Sequence, residues 1–395
     1  MRKAKSVILF IVAVLTCLAL ATWALDQAFN KGPSLKTARM WHWQATIPNG
    51  RVVAFGGHGK GFVSLKTADV WSPSAKSFST LTMKYTHDFA AFAKLANGRY
   101  LLAGGSSNLG VPAYATSEIY NPNSNAFTAT GNMVRFRAGA GAATLGSGKV
   151  LIAGGWWIHN DAHTYGEIYD PVKGTFKATG PLKVPRAYPL VFPTKDGKAV
   201  VAGGNGPQGN PAYIEKVELY NPATNKFAVL RKTLIAGKTG WFIYLYKCMR
   251  AIADQKMSDG RYLLTALKNA SGGYEVMLVT FDPAKKLFET LDTTPALPSW
   301  AQAAISIAPI VDKQKKKAYL LGTLPMSGGI QKQVLYTLDL TTLALVQETD
   351  QYSADYYTDF GNQTLLKDGR ILMTGGTKDG TNFNPVANSI YVKSE

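Results

Sequence analysis

Short apolar runs recur along this chain, each ended by small residues and each preceded by a polar turn. Adjacent glycines close such runs at Gly56-Gly57, Gly104-Gly105, Gly154-Gly155, Gly203-Gly204 and Gly375-Gly376. The first four pairs stand 48, 50 and 49 residues apart. Two degenerate copies, Leu263-Leu264-Thr265-Ala266 and Leu320-Leu321-Gly322, fill the long gap and bring the number of units to seven. A large apolar residue follows 14 to 16 residues after each second small one, at Trp71, Tyr120, Tyr169, Tyr220, Phe281, Leu338 and Tyr391. Another comes seven residues later in six units, at Phe78, Phe127, Phe176, Phe227, Phe288 and Leu345. A fixed period of this length marks a repeat architecture.

The turns have the chemistry of tight β connections. Ser72-Pro73, Asn121-Pro122, Asp170-Pro171, Asn221-Pro222 and Asp282-Pro283 separate the paired apolar positions, where Asx and proline favour a tight reversal. Asn49-Gly50-Arg51, Asn97-Gly98-Arg99, Asp196-Gly197-Lys198, Asp259-Gly260-Arg261 and Asp368-Gly369-Arg370 precede the glycine pairs and flank runs such as Val52-Val53-Ala54-Phe55, a hairpin signal. Each unit is therefore expected to hold four short antiparallel strands, a to d. Strand b ends at the glycines, where a missing side chain lets backbones approach.

This pattern resembles the kelch repeat over nearly the whole chain. The family's usual tryptophan on strand d is replaced here by Phe or Leu, which keeps an apolar wedge between sheets. The resemblance implies an all-β, seven-bladed kelch-type β-propeller of four-stranded antiparallel blades. The last unit stops after strand c at Ser389–Val392, and Gly32–Arg39 resembles the end of other d strands, such as Gly180–Arg186. An N-terminal strand is thus expected to complete the last blade and remove bare edges at the seam. A six-bladed ring, with units five and six merged, is the alternative.

In such a ring the d-to-a and b-to-c connections share one face. The opposite turns are short and uniform, so variation on a rigid frame concentrates binding on the first face. Residues there rich in arginine and aromatics are the candidate ligand-binding set. From the starts of the a strands come Trp41, His42, Trp43, His87, Arg135, Arg137, Arg186, Tyr188, Tyr356 and Asp359. Trp156 and Trp157 come from a b-to-c loop. Aromatic faces stack on sugars, and arginine pairs bidentately with carboxylates. Arginines repeated at a-strand starts also suit a structural role on loop carbonyls. His159, Asp161 and His163 have donor types that suit a transition metal, but a loop setting favours ordinary surface histidines, and no metal is expected. Residues 231–258 form an insertion whose apolar stretch Gly240–Tyr246 suits core packing, an extra strand, a lid or a partner edge.

Composition limits the remaining choices. The 395 residues carry a formal net charge of +18, with 46% hydrophobic and 17% charged residues, a globular balance. Residues 1–24 have the basic, apolar and small-residue parts of a signal peptide, or of an uncleaved anchor over residues 6–25. The propeller then spans 25–395, exported to the periplasm or beyond. Loss of Arg2, Lys3 and Lys5 takes three from +18 and leaves +15, which favours anionic partners such as a membrane surface or acidic glycan. Cys248 is the lone cysteine outside the leader, so no internal disulfide framework forms.

No phosphate loop, nucleophile elbow, zinc signature, dinucleotide fingerprint or nucleic-acid-reading motif occurs. No cofactor and no specific nucleic acid is expected, and the chain is expected to be a monomer. The expected function is a ligand-, glycan- or protein-binding module at the cell envelope. The chain is also similar to exported bacterial kelch proteins, some of which interconvert sugar anomers, including sialic acid. That implies a cofactor-free mutarotase or epimerase, with His42, His87, Asp88 and Asp359 as the best placed proton-transfer groups. The resemblance extends to the central domain of galactose oxidase, which would imply a copper radical site drawing on Cys248, His42 and His87.

Overall fold

The computed structural model describes residues 29–106, 113–158, 161–207, 213–243, 255–270, 273–295, 297, 309–325, 331–348, 352–354, 361–377 and 385–392. They form seven antiparallel sheets, one per sequence unit. Blades 1 to 4 are built from Trp43–Thr46, Val52–Phe55, Thr67–Ser72 and Ser77–Thr82; Ala91–Lys94, Tyr100–Ala103, Ser117–Asn121 and Ala126–Ala129; Gly141–Thr144, Val150–Ala153, Gly166–Asp170 and Thr175–Ala178; and Leu190–Pro193, Ala199–Ala202, Val217–Asn221 and Lys226–Arg231. Blade 5 has Trp241–Phe242, Tyr262–Ala270, Gly273–Asp282 and Leu287–Thr290, and blade 6 has Ile310–Asp312, Lys317–Pro325, Gln331–Asp339 and Leu345–Gln347. A fifth strand in blade 6, Tyr352–Ala354, pairs with its strand c.

Blade 7 has Asn362–Leu365, Ile371–Thr374 and Ser389–Val392 from the C-terminal end, with Phe29–Lys31 as its outer strand. The ring is therefore closed by the N-terminal segment, as the truncated last unit implies. Pairing starts three residues before Gly32, and the Gly32 and Leu35 N–H groups continue it onto the Ser389 and Ala387 carbonyls.

The seven-residue spacing has a simple cause. It is the register of the c–d hairpin, which sets Trp71 opposite Phe78, Tyr120 opposite Phe127, Tyr169 opposite Phe176 and Phe281 opposite Phe288. The Tyr120–Phe127, Tyr169–Phe176, Tyr220–Phe227 and Phe281–Phe288 rings lie 4.6–4.9 Å apart. Their side chains fill the gaps between neighbouring sheets, as Phe55 of blade 1 does against Tyr120 of blade 2 at 5.2 Å. Each ring so buried stabilises the fold by about 1.5–3 kcal/mol relative to exposure.

The glycine pairs let the inner ends of the blades meet. In blade 2, Gly104 and Gly105 have φ of 70° and 105°. A Cβ on Gly104 would lie 2.2 Å from the Arg137 carbonyl oxygen of blade 3. Blades 5 and 6 lack this pair. There strand b does not break but runs on through Thr265-Ala266 and Gly322-Thr323, giving hairpins of nine or more residues per strand. The apolar Trp241-Phe242 is the first strand of blade 5 and is buried; residues 244–254, including Cys248, lie outside the described residues.

The seam between blades 7 and 1 is polar. Alternate residues of strand a in blade 1, with His42 just before it, face blade 7. His42 Nε2 lies 2.9 Å from Thr374 Oγ1, Gln44 contacts the same hydroxyl, and Thr46 Oγ1 lies 2.9 Å from Thr364 Oγ1. Trp71 Nε1 donates to the Tyr391 hydroxyl across the same join.

Candidate functional site

The connector entering each of the first four blades carries an arginine or histidine four residues before strand a. Arg39, Arg137 and Arg186 are buried and pair with Asp69, Glu167 and Glu218 on strand c of the same blade, at 3.2, 2.5 and 2.9 Å. Their second nitrogens donate to the carbonyls of Gly56, Gly154 and Gly203. Blade 2 has His87 at this position. Its Nδ1 lies 2.7 Å from the Gly104 carbonyl oxygen and its Nε2 3.1 Å from Glu118. The carboxylates also accept backbone N–H groups, Glu167 from Val134 and Arg135, and Glu218 from Lys183 and Val184. Each pair thus pins a connector to its blade. Burial pulls the three arginines down from their usual range, and the carboxylates oppose it, so the guanidinium remains the charged form.

Two residues further on, Trp41, Phe89 and Tyr188 all adopt positive φ, from 51° to 54°. Their rings come from blades 1, 2 and 4, yet Phe89 lies 5.4 Å from Trp41 and 5.8 Å from Tyr188. Rings from non-adjacent blades meet only near the axis, so these side chains plug the channel at its loop-rich end. Trp156 from blade 3 joins the plug, donating from Nε1 to the Tyr188 hydroxyl at 2.9 Å. The equivalent position in blade 3 is Gly139; a Cβ there would lie 2.6 Å from Trp156 Nε1 and 2.8 Å from Tyr188. His58 packs beneath Trp41 and stands 2.8 Å from Asp88. Burial holds the Asp88 carboxyl above its usual range, and His58 opposes that shift.

The sequence candidates therefore separate by location. Trp41, Tyr188 and Trp156 form the axial plug, while Arg137, Arg186 and His87 pin connectors. His42 lies in the seam, where burial, then the Arg39 charge, pushes its imidazole down to about 3. Trp43 is buried, donating to the Ala90 carbonyl and stacking on Phe92 at 5.0 Å. Tyr356 and Asp359 lie outside the described residues. Arg135 and Trp157 are exposed, and the structure brings them to one cleft of about 630 Å³.

One wall of this cleft is the connector Val134-Arg135-Phe136. The other is the b-to-c loop of blade 3, through Trp157, Asp161, His163 and Tyr165. The guanidinium of Arg135 lies 4.0 Å above the Tyr165 ring, an arrangement that fixes its plane and leaves its N–H edge for a ligand. His163 packs at 5.2 Å against the same ring. Burial draws its imidazole below the usual range; Asp161 opposes this, and Arg137 and Arg135 add to it. At neutral pH the cleft so holds one cation, one carboxylate, a neutral imidazole and three exposed aromatic side chains, Phe136, Trp157 and Tyr165.

Tyr165 and Phe136 are the members that reading the sequence for binding residues passes over. The signal for Phe136 is its place between Arg135 and Arg137. Once Arg137 is fixed inward by Glu167, a connector crossing the surface turns its neighbours outward, and Val134 and Phe136 are each 57% exposed.

No family model matches this sequence, and no curated protein matches it. Among solved structures the fold is similar to that of a fungal alcohol oxidase of the AA5 family, in complex with copper. The TM-score is 0.54 at 15% identity, over 92% of this chain and 75% of that one. Such a likeness shows a shared propeller fold. Among the described residues no three His, Cys, Asp or Glu side chains gather to hold a metal ion. Of the residues a copper site would draw on, His42 contacts Thr374, His87 lies against the Gly104 carbonyl and Glu118, and Cys248 lies outside the described residues.

Proposed function

We propose that this chain is an exported binding module that recognises an acidic carbohydrate at the cleft of blade 3. The observation that carries the reading is Arg135, exposed and stacked on Tyr165 beside Trp157. A sugar acid places its carboxylate on the guanidinium edge, a ring face on Trp157, and hydroxyl protons on Asp161 and His163. Asp161 disfavours a bare polyanion, because a second negative charge nearby is repelled. A singly charged, hydroxyl-rich ligand meets less of it, with its one charge on Arg135 and hydroxyl groups toward Asp161. The overall charge of +18 draws anions toward the surface at long range.

One observation favours a second reading of the same cleft, a cofactor-free exchange of sugar anomers. His163 is held neutral beside Asp161, which suits a general base. Titration with a sialylated trisaccharide followed by calorimetry tests the first reading, with binding expected in wild type and loss in Arg135→Ala. Anomer exchange followed by NMR, abolished in His163→Gln, is the result the second requires; its absence leaves binding alone.

A further inference from the structure

The cleft has more apolar surface around it than a soluble sugar can use. Val134 and Phe136 are each 57% exposed, Ile158 is 45% exposed and Trp157 is 44% exposed. A sugar ring offers one face to one aromatic platform, and Trp157 or Tyr165 supplies it. Val134, Phe136 and Ile158 have no role in that contact. They stand on two neighbouring surface segments of the loop-rich face, which also bears Arg135 and the exposed Lys183 and Lys84. Exposed aliphatic and aromatic side chains beside long cationic ones suit a membrane interface, where apolar tips enter the acyl boundary and cations stay with the headgroups.

From this juxtaposition, and resting on the acidic-carbohydrate reading, we infer that the ligand is lipid-borne: an acidic glycolipid bound at the surface of a bilayer. Arg135 and Tyr165 take the acidic sugar, while Phe136 and Ile158 dip into the lipid beside it. The charge pattern agrees with this occupant. Asp161 offsets Arg135 within the cleft, so charge alone gives no strong local trap. Attraction to an anionic surface comes from the net positive chain, and it is screened beyond about 8 Å at physiological ionic strength. Apolar insertion then has to supply the residence at the surface.

The experiment uses the full chain, so that residues 1–28 contribute equally to every variant. Affinity is measured for a free sialylated trisaccharide and for the same sugar as a ceramide glycolipid at 5 mol% in phosphatidylcholine vesicles. Vesicles of phosphatidylcholine with phosphatidylglycerol form the charge-only control. Wild type is expected to bind the vesicle-borne sugar at least tenfold more tightly than the free one. That advantage should be lost in the double variant Phe136→Ser/Ile158→Ser, a fall of about tenfold or more as expected for two half-buried apolar side chains. Acyl-brominated lipids should quench part of the tryptophan emission, and Trp157→Phe should remove that part.

Equal affinity for free and vesicle-borne sugar, with no quenching of Trp157, overturns the lipid inference while the carbohydrate reading stands. Absence of binding to either form overturns both. Equal binding to phosphatidylglycerol vesicles without sugar overturns the inference in favour of simple charge adsorption.

Discussion

Arg135 and Arg137 are two residues apart on one connector, and the structure predicts opposite consequences for removing them. Arg137 is 1% exposed and donates to Glu167, to the Gly154 carbonyl and to the Tyr165 carbonyl. Arg137→Met keeps much of the volume but leaves Glu167 buried with only the Val134 and Arg135 N–H groups. Breaking one side of a buried pair costs about 3–5 kcal/mol; the two remaining N–H donors place this case near about 3 kcal/mol. Arg135→Ala removes an exposed side chain whose contact among the described residues is its cation–π contact with Tyr165, worth about 0.5–1 kcal/mol. For ligand the order reverses. A lost charge-assisted contact of about 2 kcal/mol weakens a sialylated trisaccharide roughly thirtyfold in Arg135→Ala. Folded Arg137→Met should bind within about threefold of wild type, because its guanidinium does not reach the cleft. Urea denaturation followed by fluorescence, and calorimetric titration, give the two numbers for each variant. If Arg135→Ala proves the less stable, or folded Arg137→Met the weaker binder, the division between pin and site is wrong.

Further outcomes follow from other parts of the ring. Gly139→Ala should cost more than about 2 kcal/mol, because its φ is 62° and its new methyl meets Trp156 and Tyr188; near-ultraviolet circular dichroism should show the plug disturbed. His42 is neutral in the folded state and titrates near 3, whereas an unfolded histidine titrates near about 6.5. Its contribution is fully present above pH 6.5 and is lost as pH falls toward 3, with a slope of up to about 1.4 kcal/mol per pH unit; His42→Gln should flatten that part of a stability–pH curve. Trp71→Phe removes the hydrogen bond to Tyr391 that helps close the ring and should cost about 1 kcal/mol, read as a shift in the denaturation midpoint. Tyr165→Ala should weaken the trisaccharide about tenfold by freeing the Arg135 plane, with little change in stability, as calorimetry and denaturation together would show.

Much of the architecture is legible in the amino-acid sequence because it depends on local spacing. The interval from Tyr120 to Phe127 is a hairpin register, and Gly104-Gly105 is a place where a methyl would strike the next blade. The truncated last unit implies closure by the N terminus, and Phe29–Lys31 supplies it. The site was harder to read, because arginine and tryptophan serve both packing and binding. Arg39, Arg137 and Arg186 each precede an acidic residue on strand c by 30 to 32 positions. That coupling is visible in the sequence only when the cation and the acid are followed together through the repeats. Arg135 stands 32 positions before Glu167, but that carboxylate takes the Arg137 guanidinium and only the backbone N–H of Arg135, so the spacing alone does not tell the exposed arginine from the buried one. The inward turn of Trp41 and Tyr188 depends on a positive φ at non-glycine residues, which no local pattern announces. The long hairpins of blades 5 and 6 follow from the missing glycine pairs, yet their length depends on pairing between distant segments.

The most direct test of the central claim is a crystal structure of the protein soaked with a sialylated trisaccharide. Ligand density between Arg135, Trp157 and Tyr165, with the carboxylate on the Arg135 guanidinium, is the predicted result. Density confined to the lysine-bearing groove between blades 3 and 4, beside Lys149, Lys177 and Tyr220, with the blade 3 cleft empty, would contradict it.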